Sequence, residues 1–355
     1  MQRVVPVRRE ARAVSGRLRE ERVTSLHGAG GELMGRFLAE RILPKFRLRS
    51  AGPIGLDKLD DGAVVGLPPG RLVVTTDNHA VKPFRFPGGD IGKLAVCGTV
   101  NDLAVMGAQP VAITMALLLE EGFPLADLET ILTSAARELV DLGLPLVAGD
   151  TKVMGRGELD GIMINTTGIG VAEPAISDAG LRIGDVILVT GTVGDHGMAL
   201  LAAREGFHLQ TELQSDVAAL WPLLAPVLAE GGVTAMKDPT RGGLAAALNE
   251  MARKAGVGIE IDEEEIPIRP EARALSDLLG ISPLEVACEG RAVMGVAPDR
   301  ADAVLASLRH HPRGREARVI GRVTGDYPGR VILRTGVGGR RFLEMPLGDP
   351  VPRIC

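Results

Sequence analysis

The sequence predicts a mixed α/β protein built from two domains. Runs of β-branched and apolar residues alternate with segments whose apolar residues recur at helical spacing, as in strands and helices. The alternation occurs twice, in two series of about 150 residues each, which is a usual domain size. Residues 173–184 separate the two series and contain Pro174, Asp178 and Gly180, a composition typical of a connection. The 355 residues are 45% hydrophobic and 24% charged, which is enough apolar material for two cores.

The predicted elements follow in order along the chain. Residues 1–50 form a polar, glycine-punctuated lead-in with a short helix near 32–41. The first domain, residues 51–172, has predicted strands at 71–76, 111–119, 144–148 and 161–171 and helices at 92–106 and 125–142. The second domain, residues 173–340, has predicted strands at 186–189, 234–236, 257–261, 292–296, 317–322 and 331–334 and helices at 196–205, 243–255, 270–279 and 301–309. Residues 341–355 form a flexible tail whose prolines predict an extended backbone.

Composition excludes several classes of function. The net charge is −5 and no Lys/Arg-rich block is present, so nucleic acid is not an expected partner. The basic start of the chain lacks the apolar run of a secretory signal, and no apolar stretch reaches the roughly 20 residues that span a bilayer. Three widely spaced cysteines, Cys97, Cys288 and Cys355, fit neither a disulfide framework nor a four-ligand zinc site. We therefore expect a cytoplasmic protein with no membrane partner.

Acidic residues stand near the ends of apolar strands. Asp77 follows Thr75-Thr76, Asp150 follows a buried-type strand and precedes Thr151 and Lys152, and Asp61 lies in the run 59–64. Asn101-Asp102 interrupts an otherwise apolar helical stretch, where a buried carboxylate is costly unless it is paired or binds a metal. Mg²⁺ prefers hard oxygen ligands and the phosphates of its nucleotide, so these residues could hold Mg-ATP. Ordinary turn-forming and solvent-facing acidic residues remain the alternative.

Two glycine-containing segments are candidate phosphate contacts. His27-Gly28-Ala29-Gly30-Gly31 could bring backbone N–H groups close to phosphate, although a flexible loop explains it equally well. Asp238 and Arg241 lie in the run 237–243, which ends in Arg-Gly-Gly before an apolar helix. They could act on phosphate or substrate, and N-capping accounts for the Asp but not for the Arg-Gly-Gly run. The glycine-rich turn at 191–197 is interpreted as structural.

The last residue, Cys355, is the sharpest functional signal. Chain ends fray unless they are tied down, so a terminal cysteine gains little from packing and exposes a reactive thiol. Prenylation requires the cysteine four residues from the end, which excludes that modification. Residues 347–355 could extend over roughly 30 Å, far enough to carry a covalently held group between sites.

Together these residues resemble the HypE family of hydrogenase maturation proteins, within the AIR synthetase-like (PurM-like) superfamily of ATP-using enzymes. The resemblance runs from the segment 27–31 to Cys355, and the ending Pro352-Arg353-Ile354-Cys355 singles out this family from its relatives. It implies a two-domain AIR synthetase-like fold whose first domain pairs in a homodimer. It implies that His27, Gly28, Gly30, Gly31, Asn101, Asp102, Thr151, Asp238 and Arg241 bind ATP, and that Asp61, Asp77, Asp102 and Asp150 bind Mg²⁺.

The resemblance also implies a reaction and its partners. A HypF-type carbamoyltransferase loads a carbamoyl group onto Cys355, and ATP-dependent dehydration converts the thiocarboxamide to a thiocyanate. The cyanide then passes to iron on a HypC–HypD scaffold, for the nickel–iron hydrogenase centre. Lys152 and Glu289 match the family positions proposed to handle protons. One departure is that relatives commonly have Asn-Glu-Gly where this chain has Cys288-Glu289-Gly290, so Cys288 is a candidate second oxidisable thiol.

Two other functions stay open from the sequence. The chain could be another PurM-like ligase or kinase that acts on a free small molecule, with Cys355 incidental. It could also be a non-enzymatic thiol carrier with a vestigial nucleotide cleft. Removal of Cys355 would abolish product formation by the thiocarboxamide dehydratase but not by a ligase or kinase. Stoichiometric ATP consumption with a carbamoylated tail would exclude the carrier.

Overall fold

The computed structural model describes residues 21–29, 31–60, 62–204, 212–348 and 351. Three predicted site residues, Gly30, Asp61 and Cys355, lie outside this range. Within it the chain forms two mixed α/β units, each with its own sheet, and the predicted fold class is confirmed.

The first unit is a four-stranded sheet with helices on one face. Its strands have the order β1-β6-β4-β5, in which only β4 and β5 are parallel. A small hairpin precedes the first long helix. The elements are β1 (Arg71–His79), β2 (Arg85–Phe86), β3 (Gly89–Asp90), α2 (Ile91–Val105), β4 (Gln109–Glu120), α3 (Leu125–Asp141), β5 (Leu146–Met154) and β6 (Ile162–Ala172).

The lead-in packs onto this unit. Its main helix, α1, spans Gly31–Phe37 and continues into a π-helical turn at Leu38–Ile42. Short 3₁₀ turns lie at Ser25–Gly28, Leu43–Lys45 and Leu56–Lys58. Val23, Phe37, Ile42 and Phe46 are buried in the same apolar cluster as α2 and α3, so the described part of the lead-in belongs to the first core.

Helix α2 begins where Asp90 caps it. The Asp90 carboxylate accepts hydrogen bonds from the backbone N–H groups of Gly92 and Lys93, at 2.9 and 3.0 Å, which satisfies two of the donors that a helix start leaves unpaired. Almost every residue of α2 is buried, because the sheet packs on one side of the helix and α3 and the second unit pack on the others. A carboxylate in such a helix needs a partner or a ligand.

The second unit is a seven-stranded sheet with the order β13-β12-β9-β11-β7-β10-β8. All neighbouring pairs are antiparallel except β12 and β9, which are parallel. The elements are β7 (Val186–Val189), α4 (Asp195–Arg204), α5 (Trp221–Glu230), β8 (Val233–Lys237), α6 (Gly243–Ala255), β9 (Gly258–Asp262), α7 (Pro270–Leu279), β10 (Val293–Val296), α8 (Ala301–His310), β11 (Arg318–Thr324), β12 (Val331–Arg334) and β13 (Arg340–Phe342).

All the predicted strands and helices are present, and the boundaries of α6, α7, β7 and β12 match the predicted ones. Sequence reasoning missed α5, whose prolines at positions 222 and 226 argued against a helix; the first lies in the first turn, where proline is tolerated. It also missed the hairpin β2–β3 and the edge strand β13. In the described part of the chain, no helix is both long enough and apolar enough to cross a bilayer.

Candidate active site

Four acidic side chains from distant parts of the sequence form what we call the acidic cluster: Asp77, Asp102, Asp238 and Glu289. Asp77 lies on β1, Asp102 in α2, Asp238 directly after β8 and Glu289 in the irregular segment before β10. Repulsion from Asp102 raises the pKa of Asp77, repulsion from Asp102 and Asp77 raises that of Asp238, and all three aspartates raise the pKa of Glu289, so the four lie close together. The cluster sits where the helix-covered face of the first sheet meets the second unit.

Asp77 and Asp102 are in direct contact. Burial, followed by repulsion from Asp102, raises the pKa of Asp77 from 3.8 to about 6, and the protonated Asp77 donates a hydrogen bond to Asp102. Burial also raises the pKa of Asp102, opposed by hydrogen bonds from Thr75 and Asp77. The Thr75 hydroxyl lies 2.6 Å from Asp102 Oδ2. Two buried carboxyl groups in contact repel each other when both are ionised, so a bound cation would stabilise the pair.

Asp238 and Glu289 show the same effect. Burial and repulsion from Asp102 raise the pKa of Asp238 to about 7. Burial raises the pKa of Glu289 well above its ordinary value, with further repulsion from Asp238 and Asp216. Glu289 is 2% exposed, and its Oε1 has no hydrogen-bond partner within the described ranges. An unpaired buried carboxyl oxygen is costly, so its presence points to a functional role.

Basic groups border the cluster. The guanidinium of Arg241 lowers the pKa of both Asp77 and Asp102, which places its charge near them. Lys237 adjoins Asp238 and forms ion pairs with Asp178 and Glu250, at 3.5 and 3.1 Å. A cavity of about 340 Å³ opens here, and its walls include Thr75, Asp102, Lys237, Asp238 and Lys254. Its mixture of carboxylates and ammonium groups suits a metal–phosphate ligand.

The donor set fits Mg²⁺. Hard carboxylate oxygens with raised pKa values gain most from a nearby cation, and Mg²⁺ commonly uses only one or two protein carboxylates together with substrate phosphates. Among the described residues, no three His, Cys, Asp or Glu side chains assemble into a complete metal site. Of the three described members of the predicted magnesium set, Asp77 and Asp102 are therefore the two that lie together.

A second predicted group, Asp150, Thr151 and Lys152, lies elsewhere. These residues are on β5, at the opposite edge of the sheet from β1. Three strand spacings separate the two edges, about 14 Å. Side chains alternate between faces along a strand, and Asp150 pairs across the sheet with Ala116 and Asn165, on the face away from α2. Lys152 is exposed on that same face, so within one chain neither residue reaches the acidic cluster.

His27 and Gly28 lie beside β5. A Cβ on Gly28 would come within 2.8 Å of Val153, so only glycine allows this approach. His27 is buried, stacks on Phe37 with ring centroids 4.6 Å apart, and accepts a hydrogen bond from the Thr24 backbone at Nδ1. Gly31 begins α1. The described part of the glycine segment therefore belongs with Asp150, Thr151 and Lys152, and we call this set the β5 group.

Asn101 has a different environment from its neighbour Asp102. Its side chain is 2% exposed and bonds only to backbone of the second unit within the described residues. The amide nitrogen donates to the carbonyls of Ala218 and Glu289, at 3.1 and 3.0 Å, and the amide oxygen accepts from the Leu220 N–H at 2.7 Å. The predicted contact between Asn101 and ATP stays a prediction.

Sequence reasoning missed Asp216. This buried side chain accepts a hydrogen bond from the Glu289 N–H at 3.0 Å and lies 3.5 Å from the Arg291 guanidinium. It belongs to an irregular segment between two helices, where no periodic pattern marks a buried carboxylate. The only signal was an aspartate between Ser215 and an apolar run that begins at Val217, which is too common to single out.

Cys288 is buried and free, as is Cys97. Burial raises the pKa of the Cys288 thiol well above its ordinary value, whereas a reactive cysteine has a lowered pKa and is exposed. Its Sγ accepts a hydrogen bond from the Gly194 N–H at 3.2 Å. Cys288 therefore contacts the turn at 191–197, whose structural role stays a prediction, and its burial protects the thiol from oxidation.

The tail runs back into the protein. Pro346 lies against Gly242, where an added Cβ would be 3.2 Å from the proline ring. Val351 is completely buried, in the large apolar cluster that also contains Val286 and Ala287, three and two residues before Glu289. The described end of the tail therefore packs against the protein.

Comparison with known proteins identifies the family. Residues 59–172 match the N-terminal domain, and residues 182–334 the C-terminal domain, of AIR synthase related protein. The chain is 46% identical over 344 residues to carbamoyl dehydratase HypE of Rhodobacter capsulatus, covering 95% of this chain and 99% of that protein. The chain belongs to the HypE family. The resemblance stated from the motifs is therefore confirmed, and with it membership in a family of enzymes that act in hydrogenase maturation.

Two solved structures extend the comparison. A hydrogenase maturation protein HypE in complex with ATP has a TM-score of 0.89 at 38% identity and covers 94% of this chain and 99% of its own. A HypE–HypF complex has a TM-score of 0.76 at 39% identity and covers 89% of this chain and 100% of its own. The two-domain fold of the family is thus shared over nearly the whole chain.

Proposed function

We propose that this protein uses ATP to dehydrate an S-carboxamide on Cys355 to an S-cyanate. The proposal is carried by the acidic cluster, in a chain that matches a HypE carbamoyl dehydratase over 95% of its length. The reaction supplies cyanide for the iron of a nickel–iron hydrogenase, and we place it in the cytoplasm.

The chemistry requires an activated oxygen and a proton acceptor. The carboxamide oxygen attacks the γ-phosphorus of ATP, the bond to the β-phosphate oxygen breaks, and ADP leaves. The C–O bond then breaks with loss of phosphate, and the nitrogen gives up both protons to form S–C≡N. The oxygen atom that the carboxamide loses is carried away in the phosphate. Phosphorylation makes a poor leaving group a good one, and positioning and charge neutralisation supply most of the catalysis.

Different members of the acidic cluster have different proposed roles in these steps. Asp77 and Asp102 would hold Mg²⁺, which neutralises negative charge on the phosphates when bound. Asp238 lines the same cavity, and the charge of Arg241 lies near Asp77 and Asp102, so both would contact the nucleotide. Glu289 is the candidate base, because its unpaired Oε1 is buried in the cluster and its pKa is raised by burial. A carboxylate with a raised pKa is a stronger proton acceptor once it ionises.

The proposal requires the tail to bring Cys355 to this site. The four residues beyond Val351 span at most about 14 Å. Val351 is completely buried in the large apolar cluster that also contains Val286 and Ala287, which supports a tail that starts inside the protein.

A homodimer would complete the site. The acidic cluster and the β5 group lie at opposite edges of one sheet, and the face that carries Lys152 also exposes Leu72 and Val74, at 55% and 58%. A second copy packed on this apolar face would bring its β5 group to the first copy's acidic cluster. Lys152 and Asp150 of one chain would then serve the ATP bound at the other, as the resemblance implies for the proton-handling and metal-binding residues.

Partners follow from the reaction. A solved HypE–HypF complex supports a HypF-type carbamoyltransferase as the donor of the carboxamide. A HypC–HypD iron scaffold is the proposed acceptor of cyanide, since free cyanide would be lost to solution.

Intact mass spectrometry tests the proposal. The protein is carbamoylated by a HypF carbamoyltransferase and then incubated with Mg-ATP. We expect the loaded protein to lose the mass of one water in an ATP-dependent step, and Cys355→Ala to show neither the loaded nor the dehydrated form. Cys97→Ala, which removes a buried thiol on α2, is the matched control and retains both.

Two outcomes would refute the proposal. Continued turnover of a small molecule by Cys355→Ala would identify a free-substrate ligase or kinase. A loaded tail that keeps its mass while no ATP is consumed would identify a carrier.

A further inference from the structure

The segment that carries Glu289 has no regular secondary structure of its own. Residues 281–292 lie between α7 and β10 and form neither helix nor strand. A base must nevertheless be held within a fraction of an ångström of the proton that it removes, because a displacement of about 1 Å can reduce the rate about 100-fold. Something outside the segment must therefore fix the backbone of Glu289.

Both peptide groups of Glu289 are held by side chains from other elements. Its N–H donates to Asp216 Oδ1 at 3.0 Å. Its carbonyl accepts from the Asn101 amide at 3.0 Å and from the Ala218 N–H at 3.3 Å. Gly290 packs so closely on this support that an added Cβ would lie 2.0 Å from the Asp216 carbonyl oxygen. The backbone on either side of the carboxylate is thus fixed.

Asn101 is the member of this support that comes from the first unit. Both of its N–H donors are used, on the carbonyls of Ala218 and Glu289, and its oxygen accepts from Leu220. A primary amide has two donors, so none is left for a nucleotide. Its neighbour Asp102 points into the acidic cluster, where it bonds Thr75 and Asp77. Two adjacent residues of one helix therefore contact the metal-binding carboxylates and the base.

We infer that Asn101 is a positioning residue for Glu289, and that the Asn101–Asp102 pair sets the separation between the base and the metal-binding carboxylates. The rigid backbone of α2 links the two contacts, so the second unit is held in register with the nucleotide site. The inference rests on the proposed role of Glu289 as base. It replaces a direct contact between Asn101 and ATP.

Single-turnover dehydration of the carbamoylated protein tests this assignment. In Asn101→Ala we expect the rate at saturating Mg-ATP to fall about 100-fold, the cost of a base displaced by about 1 Å. The Kd for Mg-ATP, measured by calorimetry, should stay within about threefold of wild type, because the lost interaction acts on chemistry and not on binding. Asn101→Asp is the second variant: it is isosteric and keeps the acceptor for Leu220 but loses both donors, so we expect a similar loss of rate.

A double variant provides the readout that a merely structural role would not change. If Asn101 acts through Glu289, Asn101→Ala should cause no further loss of rate in a Glu289→Gln background. Asn249→Asp is the matched control. Asn249 is also buried and also donates to two carbonyls, those of Ala245 and Leu343, but it lies on α6 away from the cluster. Its rate should stay within about threefold of wild type while its stability falls comparably.

Different results would overturn the role of Asn101, the role of Glu289 and the proposed function. A tenfold rise in the Kd for Mg-ATP with an unchanged saturated rate would make Asn101 a nucleotide ligand and overturn the inference. A further loss of rate in the double variant, or an equal loss in Asn249→Asp, would show that destabilisation alone is responsible. If Glu289→Gln reacts as fast as wild type, the base assignment fails together with the inference. If wild type does not dehydrate at all, the proposed function fails first.

Discussion

Asp238 should destabilise the metal-free protein at neutral and alkaline pH. Burial and the nearby Asp102 raise its pKa from 3.8 to about 7, and each unit corresponds to about 1.4 kcal/mol between the two protonation states. The full shift is about 4 kcal/mol, and partial exposure of the side chain reduces this to about 2 kcal/mol by solvent screening. Asp238→Asn removes the charge at nearly constant shape, so at pH 8 without Mg²⁺ it should raise the Tm by roughly 3 °C.

The sign of the pH dependence follows from proton binding. The folded state holds the Asp238 proton to higher pH than the unfolded state does, so the free energy of unfolding falls as pH rises from about 4 to about 7. The advantage of Asp238→Asn should therefore be near zero at pH 4 and complete above pH 7. Thermal unfolding in EDTA at several pH values measures this difference.

Ligand binding should narrow this difference in stability. Mg-ATP at 100 times its Kd stabilises a protein by about 2.7 kcal/mol, and Asp238→Asn should lose at least half of that gain. Asp262→Asn is the matched control: Asp262 pairs with Arg334 at 2.7 Å near the surface, and its loss should change stability by less than about 1 kcal/mol. Equal stabilisation of Asp238→Asn at pH 4 and pH 8, or an undiminished response to Mg-ATP, would refute the reasoning.

Two further predictions concern the packing around Gly98 and the site shared by the two chains of a dimer. A methyl group at Gly98 in α2 would lie 2.9 Å from His79 Cε1, so Gly98→Ala should lower the free energy of unfolding in urea by about 1–3 kcal/mol. Gly35→Ala, with nothing within 4 Å, should not destabilise, and an equally stable Gly98→Ala would contradict the packing. A refolded mixture of inactive Lys152→Ala and Asp102→Asn should recover about a quarter of wild-type dehydration, because half of the dimers are hybrids with one intact site. A mixture that recovers no dehydration activity would exclude a site shared between the two chains.

Much of the fold could be predicted from local patterns. Strands and helices showed their own periodicities, and α2 was expected to within one residue at each end. The exception, α5, is a helix whose internal Pro226 opposes the local rule and whose apolar residues Leu223, Leu224 and Val227 are buried in the second unit. Tertiary packing stabilises it where propensity does not.

The candidate site was only partly predictable. Asp77 and Asp102 were expected to act together, and the structure brings them into contact. Asp150 and Lys152 were expected beside them, yet they occupy the other face and the far edge of the sheet. A motif at the end of a strand identifies the kind of residue, but strand order and the pleat decide which side chains meet.

The sequence by itself determined the two α/β units, the acidic residues near the strand ends, and the placing of Cys355 in a segment whose prolines favour an extended backbone. These are local properties: residue type, periodicity and chain length. The tertiary structure alone decided that Asn101 holds the backbone of Glu289 while Asp102 faces the metal-binding carboxylates. The reason is physical, since adjacent residues on a helix point about 100° apart, and what each one meets depends on how two distant sheets pack against that helix.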